Sequence, residues 1–255
     1  MIIERILRAS RENSLPVTWS NSPPRLGTVL LLFALFASFP GAAIAQEDAW
    51  SQVMASAVAA YRQRDYAEAR LRLQRALELA EGFGPADVRV ATTLNNLGLA
   101  EHALGNFAAA TAAFERALAI VERALGPEHA DVATIANNLA ATEAEAGSAA
   151  RAESLYRRAL AVRERALGAT HGDVATLLNN LGDLLRKQNR FDEAEPLLRR
   201  AISVRKAAYG ENDARVAAAV QTLALLEQDR GNFAAAAALF EDALRAQQMA
   251  LGGEH

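Results

Sequence analysis

The chain has 255 residues, 51% of them hydrophobic, and 27 basic against 30 acidic side chains for a net charge of −3, which excludes a disordered polyelectrolyte and a many-spanning membrane protein. Its charges are spread without a basic stripe that would neutralise phosphates, so nucleic acid is not an expected partner. The absence of cysteine removes disulfides, thiolate metal sites and a cysteine nucleophile together.

In chain order, Arg5, Arg8, Arg11 and Arg25 precede an uncharged run from Leu26 to Phe39, followed by Pro40-Gly41 and the small-x-small tripeptide Ala43-Ile44-Ala45. These are the parts of a secretory signal peptide over residues 1–45, cleaved before Gln46. An uncleaved anchor is the alternative. In both readings the arginines stay inside and Glu47 and Asp48 lead the remainder across the membrane. The expected location is periplasmic or secreted, or, for the anchored form, the periplasmic side of an inner membrane.

From residue 46 onward alanine is the commonest residue, and alanine favours helix over strand. The pair Asn95-Asn96 recurs 42 residues on as Asn137-Asn138, and again as Asn179-Asn180. Leu97, Leu139, Leu181 and Leu223 keep the same step, as do Ala110, Ala152, Ala194 and Ala236, and Phe114, Tyr156, Leu198 and Phe240. Gly84, Gly126, Gly168, Gly210 and Gly252 imply five units, at about residues 50–84, 91–126, 133–168, 175–210 and 217–252, because a fixed period of this length marks a repeat architecture. The first unit is a residue shorter, with Tyr66, Ala69 and Leu73 matching Phe107, Ala110 and Phe114.

Apolar residues within a unit recur at three and four, the helical spacing. Each unit is expected to hold a helix of roughly 14 residues, a tight turn at Gly105, Gly147, Asn189 or Gly231, and a helix of roughly 19 residues. Asp65, Asn106, Ser148 and Asn232 are expected to cap the second helices, with Arg190 the exception. The Gly84 column should close them.

The spacing Leu97-Gly98, then Ala110, Phe114 and Ala117, resembles the tetratricopeptide repeat. The 42-residue period, the Asn-Asn-Leu segments and the Leu-Gly-x-x-His of Leu125 to His129 and Leu167 to His171 resemble its kinesin-light-chain-type subfamily. The resemblance covers about residues 50–255. Where the family has Tyr three residues after the first-helix glycine, this chain departs with Glu101, Glu143, Leu185 and Glu227. The resemblance implies an all-α, right-handed superhelical solenoid of about five hairpins, acting as a non-catalytic scaffold for a protein or peptide.

Phosphate-loop, zinc-protease and serine-hydrolase motifs are missing from the sequence, so no cofactor is expected. His129, His171 and His255, with Asp213 filling the gap in their column, sit in inter-unit turns too far apart to share a metal, and capping is the expected role. In the family the first helices line a concave face, where the second amide of each pair bonds the backbone of an extended peptide. That implies Asn96, Asn138 and Asn180 as peptide-binding residues. Asn95, Asn137 and Asn179 suit ligand contact or the tying of adjacent helices equally. Flanking specificity would fall to His102, Asp183, Arg186 and Lys187. The family's basic clamp for a C-terminal carboxylate is replaced by Thr92, Thr134 and Thr176. Two alternatives stand beside groove binding: a structural subunit of an envelope complex using its convex face or C-terminal edge, and an unrecognised hydrolase. Self-association through an apolar last hairpin carrying Phe233, Leu239, Phe240, Leu244 and Met249 is also expected.

Overall fold

The computed structural model describes residues 40–250, which form ten helices and, among the described residues, no strand. They pair as α1 (Pro40–Arg62) with α2 (Tyr66–Glu81), α3 (Val88–Ala103) with α4 (Phe107–Leu125), and α5 (Ala130–Glu145) with α6 (Ala149–Leu167). Then come α7 (Gly172–Lys187) with α8 (Phe191–Tyr209), and α9 (Ala214–Asp229) with α10 (Phe233–Ala250). The basic lead and apolar run of the expected signal peptide, and residues 251–255 with Gly252 and His255 of the repeating columns, lie outside the described residues.

The long second helices match expectation, with 19 residues each in α4, α6 and α8, while α3, α5, α7 and α9 run to 16 residues, a little beyond it. Pro196 lies inside α8 without ending it. Small residues set the distance between paired helices. A Cβ on Gly98 would stand 2.7 Å from the Phe114 ring, and one on Gly182 would stand 2.6 Å from Leu198, so larger residues at either site would force the helices apart. Ala110, Ala152 and Ala194 are wholly buried at the same place in successive hairpins.

The turns follow two designs. Asp87 and Asp213 cap α3 and α9 by accepting from the N–H of Arg89 and Arg215 at 2.9 and 2.8 Å, and each arginine lies over an aromatic ring, Phe83 or Tyr209. His129 and His171 cap α5 and α7 through Nδ1, accepting from the N–H of Asp131 and Asp173 at 3.2 Å. Capping is therefore what the histidine column does. Gly126, Gly168 and Gly210 have φ of +90°, +85° and +85°, with ψ near +155° rather than the left-handed helical value, a region essentially reserved for glycine.

The expected caps of the second helices need correction. Asp65 accepts from the Glu68 N–H, but Asn106 and Ser148 make no side-chain cap bond. Asn106 Nδ2 instead donates to Glu101 Oε2 at 2.7 Å, and Asn232 Nδ2 donates to Glu227 Oε2 at 2.7 Å in the same way. The glutamates in the family's Tyr column are thus buried acceptors, and a buried carboxylate requires such donors.

Each first helix touches the next first helix, α1 with α3 and so on to α9, whereas among the described residues no two second helices meet closely. The first helices therefore line the inner side of the solenoid. On the outer side an ion-pair column climbs the second helices: Arg116 to Glu81, Arg158 to Glu122 and Arg200 to Glu164, all at 2.6 Å. At the next step the signs exchange, with Lys206 and Asp242 at the matching positions, turned to Glu211 and Arg245.

Candidate functional site

The amide pairs lie on the inner first helices and form a ladder between hairpins. Asn138 Nδ2 donates to Asn95 Oδ1 at 3.0 Å, and Asn180 Nδ2 donates to Asn137 Oδ1 at 2.9 Å. Asn137 Nδ2 in turn donates to Asn138 Oδ1 at 3.3 Å. The ladder has two open ends. Below Asn96 the matching column holds Met54, and the Asn96 amide donates to its own helix, at the Thr92 carbonyl, at 2.9 Å. Above Asn179 the column holds Thr222, whose hydroxyl donates to the Ala218 carbonyl, and Asn179 Oδ1 is buried without a partner.

The helix-tying role of the first amides is thus realised for Asn95 and Asn137, and their donors are the second amides of the next unit. Nothing in the 42-residue recurrence itself pairs the two columns, because the partners sit 43 residues apart. The amides that remain half-buried keep hydrogen-bonding capacity beyond the ladder, since each has one oxygen and two N–H groups.

The His102 ring is half-buried, edge-on to Phe107 with centroids 5.6 Å apart. Its Nδ1 lies 3.0 Å from Thr142 Oγ1 and its Nε2 lies 3.6 Å from Glu145. A hydroxyl, an imidazole and a carboxylate in a row resemble a nucleophilic relay. Thr142, however, is wholly buried and donates to the Asn138 carbonyl, so no reacting atom is presented.

Asp183, Arg186 and Lys187 form one cluster at the end of α7. Arg186 and Lys187 each lie 2.9 Å from Asp183, and Arg186 reaches across to Asp229 on α9. Burial pulls the Arg186 guanidinium down, but the hydrogen bonds and charges of Asp183 and then Asp229 outweigh it and hold it above its ordinary value. Beneath them, burial, followed by the charges of Asp183 and Glu145, raises the Tyr156 hydroxyl above its usual range. These charges satisfy one another, so a ligand meets a mixed, largely compensated surface. No group of three or more metal-ligating side chains gathers among the described residues, and no described helix is long and apolar enough to cross a membrane.

Ten antiparallel helices stacked as five equivalent hairpins, with polar side chains in register along the inner helices, define a helical-repeat solenoid. The sequence matches the tetratricopeptide repeat family over residues 47–123, 89–165, 131–207 and 173–249, and the chain belongs to that family. BtubC (BKLC) from P. vanneervenii superposes with a TM-score of 0.72 at 27% identity, over 84% of this chain and 85% of that one. A putative kinesin light chain from Podosopora anserina, with nearly identical TPR-like repeats, gives 0.68 at 18% identity over 79% and 95%. Pseudomonas aeruginosa pilF gives 0.59 at 14% identity over 83% and 80%, and these last two likenesses concern the fold alone. No functionally curated protein matches the chain. The fold is generally that of a protein-interaction scaffold.

Proposed function

We propose that this protein is an exported, non-catalytic scaffold that binds an extended protein segment along its inner helices. The supporting observation is the register of the amides. Asn96, Asn138 and Asn180 stand on successive inner helices with unspent donors and acceptors, which suits the repeating N–H and C=O groups of an extended chain. The paired charges at Asp183, Arg186 and Lys187 suit a segment of little net charge, and His102 borders it.

The test is selection from a displayed library of random octapeptides on the protein and on Asn96→Ala. Asn96 is the informative position because its amide bonds only within its own helix, so its loss does not open a joint between hairpins. Selected peptides should bind Asn96→Ala more weakly with an unchanged circular dichroism spectrum. Selection that yields no groove-dependent peptide rejects the reading. Export is checked by intact mass in a secreting bacterial host, where a mature protein beginning at Gln46 is the expected product.

A second reading, a structural subunit working through its C-terminal edge, is favoured by one specific comparison. Phe114, Tyr156 and Leu198 are 0%, 4% and 0% exposed, whereas Phe240 in the same column is 36% exposed, beside Leu244 at 55% and Phe233 at 70%. Leu239, expected on this face, instead packs inward.

A further inference from the structure

Between α1 and α3, on the inner side of the solenoid, lies a shallow cleft lined by Ala57, Val58, Tyr61, Leu73, Asn96 and Leu99, with about 270 Å³ of empty space when the open solvent at its mouth is counted. The repeat supplies its own controls, because the same position recurs at each of the next three joints. At the second joint, Phe114 fills the space beneath Gly98, and His102 closes the side by reaching Thr142. At the third, Tyr156 occupies it, 4% exposed, within the field of Asp183. At the fourth, Leu198 packs beneath Gly182 while Arg186 spans to Asp229. Only the first combines a shorter side chain, Leu73, with a wall free of charged residues.

The same joint is where the amide ladder has its lower open end. Met54 stands where an asparagine would receive Asn96, so the Asn96 amide turns to Thr92, and no hydrogen bond reaches its Oδ1 among the described residues. A largely apolar recess, with the Tyr61 ring in its wall and the free Asn96 carbonyl oxygen at its edge, has a definite complement: an aliphatic side chain whose own backbone N–H donates to that oxygen. A charged side chain there would lose its hydration with no opposite charge on the wall to replace it.

We propose that this cleft is a side-chain pocket for an aliphatic residue of leucine size in the bound segment, and that it fixes the register of that segment on the inner helices. It rests on the groove reading for the segment, but the pocket itself is testable alone. Filling such a recess removes apolar surface from water on both partners, enough to change affinity by about tenfold or more.

The experiment titrates N-acetyl-L-leucine methylamide into the full protein, with the N-acetyl-L-aspartate analogue as control, and follows the methyl resonances of Val58 and Leu99. The leucine probe shifts both, and the aspartate probe shifts neither. The double variant Ala57→Gly with Leu73→Phe, which copies the Gly98–Phe114 pair into the first hairpin, abolishes the response. Val58→Asp, on the open wall, weakens it without altering the buried layer, so the pocket stays testable if the double variant folds poorly. Octapeptides selected on the protein carry Leu, Ile, Met or Val at one common position, and replacing that residue by Asp lowers their affinity about tenfold or more. No response to the leucine probe, or an equal response to both probes, overturns the pocket. Peptides selected without an aliphatic position also overturn the pocket as a register device but leave the groove reading intact. A positive probe with no selected peptide keeps the pocket and rejects the groove.

Discussion

Asn180 donates its side-chain amide to Asn137 on the preceding hairpin at 2.9 Å, and its neighbour Asn179 ends the series with a buried carbonyl oxygen that nothing reaches. The cause is a single residue, Thr222, whose hydroxyl is too short to cross the joint and bonds within its own helix.

Thr222→Asn should extend the ladder by one rung and satisfy Asn179. The expected gain is about 1 kcal/mol, the net value of one hydrogen bond made to a group already buried. Asn180→Ala should cost about 1–2 kcal/mol, since it leaves Asn137 Oδ1 in the condition Asn179 now has. Urea unfolding followed through Trp50, which is buried and hydrogen-bonded to Thr93, measures both. A destabilised Thr222→Asn would mean that the fourth joint cannot accommodate the amide.

Glu101 and Glu227 tie the start of α4 and of α10 to the helix before. Glu101→Gln keeps an oxygen for Asn106 and should be nearly silent. Glu101→Ala removes the hydrogen bond from Asn106 and should cost about 1 kcal/mol, the exposed amide being left to water. Equal losses for the two variants would show that charge, rather than the accepted hydrogen bond, matters at this site.

Acid should loosen the turns. The Arg215 side chain and then its backbone N–H hold Asp213 down at about 2 against an ordinary 3.8, and arginine partners also lower Asp87, Glu153 and Glu195. Carboxylates lowered by folding stabilise the fold above their unfolded value and lose that contribution as pH falls through the folded one. The melting temperature should therefore decline from about pH 4 toward pH 2. Asp213→Asn, which retains a capping oxygen but no charge, should flatten part of that decline. An unchanged acid profile in this variant would remove Asp213 from the account.

On the second reading, the exposed Phe233, Phe240 and Leu244 of α10 are the contact between two copies. Sedimentation at rising concentration should show a growing dimer fraction, and Leu244→Asp should abolish it while leaving the melting temperature within about 2 °C, because exposed positions contribute little to stability. A monomer at every concentration would retire this edge as a contact between copies.

The helical hairpins were legible because their signals are local and repeat. The 42-residue step fixes the hairpins, and glycine or asparagine at 105, 147, 189 and 231 marks the tight turns. Arg64, with φ of +63°, does the same work in the first hairpin and carries no such signal. The ladder was only half legible. Recurrence placed the amides on one helix face, but which amide meets which depends on the rotation between hairpins, and no single unit encodes it. Asn106 illustrates the other gap. Its position promised a cap, but its Nδ2 donates to a carboxylate five residues earlier, which turns the side chain away from the backbone N–H. The spacing shared by Glu101–Asn106 and Glu227–Asn232 was the available clue.

The exchange of signs in the outer column at Lys206 and Asp242 bears on how a chain of near-identical modules keeps its sequence order. The first three joints carry the same arginine-to-glutamate polarity and are electrically interchangeable. If the last hairpin slid back by one module, Asp242 would meet Glu164 where Arg200 belongs, and two like charges would face each other. The sign change at positions 206 and 242, whose side chains turn to Glu211 and Arg245, thus sets the last hairpin apart from the three before it, and the like-charge contact disfavours its slipping back by one module.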